Sequence, residues 1–402
     1  FFTEGPGTWT PAAPSRPIHL YIHVPFCVRL CPYCSFHRVV FREDAARSYF
    51  HALRTEIARY ADMGFLFSSV YVGGGTPTIL MDELGTTLEL VNKRFSPHEI
   101  SVETNPDRLD RENLERLAGH GVRRVSVGVQ SFCDEILRSV GRYETYGSGE
   151  ALARRLVDCR GIVETLNVDM IYDFPIQTEA MLAHDLSAVR SVMPDQVTFY
   201  PLMVSDATRV RMDTIMGRRS RKNSRRFHDL IADALEDAYT PNSAWCFSKG
   251  GATMVDEYVV GGLDYVGAGS GSLGLVDRTA YANTFSLERY VGDIASGLLP
   301  IAHHRRFSTK ELARYHLLMT LFGLRMDMKD FERRFGRSPW RLVGPEILFF
   351  LLARGLRIGR GTLELTRRGR FYWVVMMREF FSAVDTFRDQ GRAATCSDPD
   401  RP

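Results

Sequence analysis

The chain has no apolar run that approaches a bilayer crossing. The longest, Ile347 to Ala353, is far short of the ~20 residues a spanning helix needs, and no signal peptide opens the sequence, which starts at Phe1. From these absences a cytoplasmic protein is expected. An excess of charge of one sign is also missing. With 51 basic against 48 acidic side chains the net charge is +3, too balanced to imply a nucleic-acid partner. Cysteine is scarce and odd in number, seven in 402 residues, which argues against a disulfide framework. Repeats beyond a strand–helix rhythm and low-complexity segments are missing too. A composition of 45% hydrophobic and 25% charged residues excludes disorder, collagen and coiled coil for the body of the chain.

What is present is alternation. Pro17 to Val24 is a short apolar strand, and Ala45 to Met63 carries apolar residues at helical spacing. The unit recurs through strands at 68–72, 99–103, 123–129, 165–172 and 196–200, with helices near 81–94, 111–119, 150–158 and 179–191 between them. About six such units favour a parallel sheet wrapped by helices, either an open doubly wound sheet or a partial barrel. After Pro201 the rhythm breaks. An Arg-rich stretch, 218–226, leads into a helix at 227–239, and Tyr258 to Gly274 is rich in glycine. From Thr309 the pattern is helical (311–322, 329–335, 345–354), then a short hairpin at 355–365 and a helix at 369–387, which suggests a winged-helix-like accessory domain. The expected division is an extension at 1–16, a core at 17–240, a closing region at 241–308, the accessory domain at 309–388 and a disordered tail at 389–402.

Three cysteines fall within eight residues, Cys27, Cys31 and Cys34, directly after the first strand. In strand–helix barrels that carboxyl end is where chemistry is placed. Soft thiolates select iron–sulfur clusters, zinc or Cu(I). Three sulfurs on one loop can hold three irons of a 4Fe-4S cube and leave the fourth open to an exogenous ligand. A tetrahedral zinc site completed by His37 is the rival, and its weakness is the spacing, which departs from paired C-x2-C knuckles. Cys133, Cys159, Cys246 and Cys396 stand alone and read as core or incidental thiols.

The C-x3-C-x2-C loop preceded by Tyr21 to Phe26 (YIHVPF) resembles the signature of the radical S-adenosylmethionine superfamily, in the branch similar to oxygen-independent coproporphyrinogen III oxidase. Further segments fit in order: Gly73 to Pro77 (GGGTP), Ser101 to Pro106 (SVETNP), Val125 to Phe132 (VSVGVQSF), Asn167 to Thr178 (NVDMIYDFPIQT) and the glycine-rich Tyr265 to Gly271. Arg314 to Gly369 resembles the accessory domain of that branch. The resemblance implies an α/β fold, a partial (β/α)6 TIM-like barrel, with a 4Fe-4S cluster on Cys27, Cys31 and Cys34 and a bound S-adenosylmethionine cleaved to a 5'-deoxyadenosyl radical. It further implies that Gly74, Gly75 and Thr76 approach the methionyl group and that Glu103 meets its amine or the ribose. Gln130, Arg142 and Asp169 match further contacts, Arg142 suiting the methionyl carboxylate. Tyr21 and Tyr33 border the cluster loop, and Gly269 belongs to a turn with room beside the site.

Some positions depart from the pattern. The decarboxylase proper carries a further cysteine two places after the third ligand, where this chain has Phe36, with Ser35 between. The His-Asn-x-x-Tyr-Trp motif of the related heme-chaperone branch is not found, and Asn242 to Ser248 (NSAWCFS) stands in the corresponding region. The usual Tyr-Gly-Leu-Pro reads Tyr172-Asp173-Phe174-Pro175. These departures favour a C1-transfer reading, methylation or cyclopropanation of an unsaturated substrate by a second S-adenosylmethionine. Porphyrinogen decarboxylation, heme ring opening and non-catalytic heme carriage are the alternatives. The expected partners are a small-molecule or carrier-bound substrate and a flavodoxin- or ferredoxin-type reductant, with the protein a monomer.

Overall fold

The computed structural model describes residues 3–4, 9–218, 221–250 and 264–395. Six parallel strands form its centre: β1 (Ile18–Val24), β2 (Phe67–Gly74), β3 (Glu99–Thr104), β4 (Arg124–Gln130), β5 (Thr165–Tyr172) and β6 (Gln196–Pro201), side by side in chain order. Each is buried along most of its length, polar residues included, because helices cover the outer face of a parallel sheet. The intervening helices are α1 (Glu43–Asp62), α2 (Met81–Phe95), α3 (Arg111–Gly119), α4 (Gly149–Asp158) and α5 (Glu179–Val192). Three start on side-chain caps, with Asp110, Ser148 and Thr178 accepting from backbone N–H groups three residues on. All six parallel strands end on the same edge, and the cysteine loop leaves the end of β1. The expected mixed α/β architecture with a TIM-like parallel core is what the chain adopts.

Where the sequence rhythm breaks, the sheet continues antiparallel. Helices α6 (Asp206–Met216) and α7 (Ser224–Leu235) lead to β7 (Cys246–Ser248), which pairs with β6. On the other edge β8 (Tyr265–Ala268) lies parallel to β1, and β9 (Leu273–Val276), β10 (Thr279–Asn283) and β11 (Ile301–Arg306) extend it as a meander. Helix α8 (Leu287–Ala295) connects the last two. The sheet thus has thirteen strands among the described residues, counting the short Thr3–Glu4 and Thr240–Pro241 at its ends. Of the glycine-rich stretch, residues 258–263 lie outside the described residues.

The C-terminal part holds α9 (Thr309–Phe322), β12 (Arg325–Asp327), α10 (Met328–Phe335), α11 (Pro339–Leu352), β13 (Leu356–Ile358), β14 (Thr362–Leu365) and α12 (Arg367–Thr395). A capping box between Ser308 and Glu311 opens α9. Helix α11 begins six residues before Pro345 and kinks at Val343, where the sequence suggested a start at the proline. Helix α12 corrects the expected tail: it runs through Asp389 to Thr395 because Phe387 packs on Phe285 and Arg392 bonds back to the core. Residues 396–402, with Cys396, lie outside the described residues. No helix among the described residues is long and apolar enough to cross a membrane.

One buried polar group ties the meander to α1. Glu56, fully buried, accepts from the Gly269 N–H (2.8 Å), the Tyr290 hydroxyl (2.5 Å) and Asn283 Nδ2 (3.0 Å). Burial is the largest influence on its carboxyl and pushes the pKa up to about 7, against the opposing hydrogen bonds. A carboxyl whose folded pKa lies above its unfolded value adds most stability at low pH and loses it as pH rises through the folded value. Wild-type stability relative to Glu56→Gln is therefore expected to fall by about 3 kcal/mol between pH 4 and pH 8, read from paired denaturant titrations. A pH-independent difference would contradict it.

Candidate active site

The loop after β1 is shaped by backbone pairing. Phe26–Cys27 forms a two-residue parallel bridge with Val39–Val40, closed by Val39 N–H to the Pro25 carbonyl (2.8 Å) and Phe41 N–H to that of Cys27 (2.9 Å). Inside it the Arg38 guanidinium donates to the carbonyls of Cys31 (2.7 Å) and Cys34. The loop lies against the end of β2: Gly75 N–H bonds the Val24 carbonyl (2.7 Å) and Thr76 N–H the Phe26 carbonyl (2.8 Å). This approach is why glycine stands there. A Cβ on Gly75 would lie 2.6 Å from the Phe26 carbonyl oxygen and 3.0 Å from Cys27 Sγ. On Gly73 it would meet the Glu103 carboxylate at 2.9 Å, and Gly74 adopts φ +119° with the His23 ring 2.7 Å from where its Cβ would be. The glycines make room for protein neighbours as well as for a ligand.

Cys27, Cys31 and Cys34 border one cavity together with Gly74, Gly75 and Glu103. All three are free thiols. Burial pushes the Cys27 thiol up to about 12, so without a metal it stays protonated. Among the described residues no three His, Cys, Asp or Glu side chains converge on one point as a single-ion site would require. His37 is engaged elsewhere: its Nε2 lies 3.1 Å from the Ser270 hydroxyl and its ring stacks on His23. With His37 Nε2 held by Ser270, the three thiols face an open cavity, which fits a cluster with one uncommitted iron.

Further round the wall, Glu103 accepts from the Tyr71 hydroxyl (2.9 Å) and the Gly74 N–H (3.0 Å). Asp169 accepts from Ser126 Oγ and Asn167 Nδ2, each at 2.7 Å. Gln130 ends β4 in the left-handed region (φ 73°) and lines the cavity. Arg142 is almost fully buried. It donates to Asn105 Oδ1 (3.2 Å) and the Gly128 carbonyl, lies 3.4 Å from the Tyr33 hydroxyl and 3.6 Å from Cys31 Sγ, and its Nε has no hydrogen-bond partner among the described residues. A buried cation with a spare donor beside a carboxylate is suited to a zwitterionic amino-acid group. Tyr33 lines the cavity and packs edge-on against Phe174. Thr76 lies just behind the wall, accepting from Asn105 Nδ2 (2.7 Å) with its hydroxyl 3.8 Å from Cys27 Sγ.

Two expected residues are not brought to the cavity. Tyr21 points into the sheet, its hydroxyl 2.8 Å from His23 Nδ1 and its ring stacked on Tyr71. Gly269 is bound to Glu56, and a Cβ there would lie 2.5 Å from both the His23 carbonyl oxygen and the Tyr49 hydroxyl. The small residues of that turn are small because protein fills the space, so it offers no room for a second cofactor molecule.

The opposite wall is assembled from residues far apart in the chain. Tyr200 and Met203 at the end of β6, Trp245 before β7, and Phe381, Asp385 and Arg388 of α12 complete the cavity. Ring centroids of Tyr200 and Trp245 lie 5.3 Å apart, and those of Trp245 and Phe381 6.0 Å. The end of α12 is tied to the cysteine loop, with Arg388 over the Phe36 ring (4.7 Å) and Arg392 donating to the carbonyls of Phe36 (2.7 Å) and Ser35 (3.3 Å). Ser35, where a fourth sulfur stands one residue later in the decarboxylase pattern, is locked to Thr208 and the Ser205 N–H.

A half-barrel with three thiols at the end of its first strand, beside a carboxylate and a buried arginine, defines the class. Residues 21–188 match the family described as the radical SAM superfamily. A heme chaperone HemW from Mycobacterium tuberculosis is 30% identical over 72% of this chain and 77% of its own length, and that of Bacillus subtilis is 27% identical over 87% and 95%. The oxygen-independent coproporphyrinogen III oxidase of Escherichia coli is 34% identical over 46% of this chain and 42% of its length. The solved Escherichia coli coproporphyrinogen III oxidase, HemN, shares the fold with a TM-score of 0.76 over 91% of both chains at 22% identity. The chain belongs to the radical SAM superfamily, in its HemN/HemW-like branch, whose members use a 4Fe-4S cluster and S-adenosylmethionine. These relatives overturn the C1-transfer reading. Those that extend along the chain are heme chaperones, the oxidase matches about half of it, and methylation and cyclopropanation have no support from them.

Gly75→Ala is expected to destabilise the iron-free protein by about 1–3 kcal/mol through overpacking against the loop, while Gly119→Ala, which meets open space, is neutral. Equal melting temperatures for the two variants would contradict the role given to the glycine.

Proposed function

We propose that this protein cleaves S-adenosylmethionine reductively and uses it to decarboxylate a propionate side chain of a porphyrinogen. The observation that carries the reading is the two-part cavity: cysteines, Glu103, Arg142 and Asp169 on one side, and an aromatic wall of Tyr200, Trp245 and Phe381 on the other. An aromatic wall of this kind favours a ligand with large apolar ring faces, which the pyrrole rings of a porphyrinogen offer, and the relatives are named for coproporphyrinogen and heme.

When bound, the cluster and S-adenosylmethionine supply one reducing electron and an acceptor for one hydrogen atom. Cys27, Cys31 and Cys34 hold the cluster. Glu103 takes the methionyl amine or ribose, Asp169 a ribose hydroxyl and Arg142 the methionyl carboxylate, so both charges of the amino-acid group are met. Tyr33 and Phe36 exclude water beside the loop. The substrate propionate gives up a hydrogen atom, carbon dioxide and one further electron, which leaves to an external one-electron acceptor, and a vinyl group remains. Heme carriage is the second reading, favoured by the coverage of the heme-chaperone relatives.

Anaerobically reconstituted protein given a one-electron reductant, S-adenosylmethionine and coproporphyrinogen III is expected to yield 5'-deoxyadenosine, methionine and a product lighter by carbon dioxide and two hydrogens, read by mass spectrometry. Stoichiometric heme binding without cofactor cleavage would replace it with the carrier reading. Cys27→Ala is expected to lose most of its iron. Asp169→Asn and Glu103→Gln should keep their iron and weaken S-adenosylmethionine binding by about 10-fold to 150-fold, the loss of a charged hydrogen bond. Wild-type binding in both variants would remove those assignments.

A further inference from the structure

The aromatic wall carries two charged groups that the reaction above does not use. Asp385 and Arg388 sit one turn apart on α12, joined by an Arg388 Nη1 to Asp385 Oδ1 hydrogen bond of 3.0 Å, and both line the cavity. Their residues are only 7% and 2% exposed. The remaining charged lining groups lie on the cysteine side, where Arg38 is engaged by loop carbonyls and Arg142 by Asn105 and Gly128. Replacing a buried ion pair by apolar residues is often neutral or stabilising, so packing alone gives little reason for a charged pair in this wall. Arg388 is also pre-positioned: its guanidinium carbon lies 4.7 Å from the Phe36 ring centroid, a contact that restrains the fork. Such a fork matches a carboxylate in two-point contact.

We propose that Arg388 is the specificity-determining residue that receives a carboxylate of the substrate, exchanging its bond to Asp385 for one to the ligand. The inference rests on the tetrapyrrole reading and sharpens it: the substrate is a tetrapyrrole bearing free acid groups, one of them held at α12 while another part lies towards the cysteines. Asp385 holds the guanidinium in place when no ligand is bound. Ester or amide forms, which offer no charge, lose the contact and leave the pair as it stands.

The test compares coproporphyrin III with its tetramethyl ester, binding each to cluster-loaded protein by fluorescence quenching. Wild type is expected to prefer the acid. Asp385→Asn/Arg388→Gln keeps a polar side chain at each position and removes both charges; it is expected to lose about 10-fold to 150-fold in affinity for the acid and little for the ester. Arg388→Lys keeps the charge without the fork and is expected to fall between. Iron content and S-adenosylmethionine affinity should match wild type in both, which separates loss of the contact from loss of the fold. Undiminished acid preference in either iron-loaded variant would overturn the assignment alone. Wild-type protein that binds neither compound would overturn the tetrapyrrole reading, and this inference with it.

Discussion

The site depends on one close approach, the contact between the backbone leaving β1 and the backbone leaving β2. Gly75 and Thr76 donate into the cysteine loop, and no side chain fits between. Everything else follows from that distance. Cys27 is held over β2, Glu103 is drawn across to the Gly74 N–H, and Asn105 reaches Thr76 and Arg142 in turn. A chain of hydrogen bonds passes along successive strand ends, so the three cysteines and the polar wall are positioned as one rigid unit. Precision of this kind comes from placing functional groups at the ends of packed strands.

The first half of this arrangement is legible in the amino-acid sequence because it is local. Strand, turn and helix recur along the whole core, and Gly74, Glu103 and Gln130 stand at or next to the ends of strands that the pattern marks, with Asp169 inside β5 and Arg142 beyond β4. The observed boundaries of the six central strands fall within two residues of those read from the pattern. Glu103 stands out locally as a charge that closes a strand, whereas Asp169 is reached only through the family resemblance; both line the cavity. Tyr21 was misplaced through the same logic: a polar-tipped residue on a strand beside the loop turns inward because His23, two residues on, accepts it.

The second half is illegible because it is assembled across the chain. Trp245 lies in a three-residue strand approach with no periodicity, and Asp385 and Arg388 belong to a helix whose other faces serve the core. Nothing local distinguishes them from ordinary helix-surface charges. The glycine-rich turn failed in the opposite direction. Glycines are needed both where a ligand comes close and where protein does, and only the positions of His23, Tyr49 and His37 decide between the two. The superfamily is legible in the local motifs, whereas the departures from those motifs misled: they suggested C1 transfer, which the relatives overturn.

The contact between Arg392 and the carbonyls of Ser35 and Phe36 spans 357 and 356 positions of chain. The cysteine loop therefore leaves the ribosome well before the helix that covers it. During synthesis the nascent chain can build its parallel strands in order, one unit on the next, while the cavity still lacks its aromatic wall. The cysteine side of the cavity and its aromatic wall are thus made at well-separated times, and the second cannot precede the first.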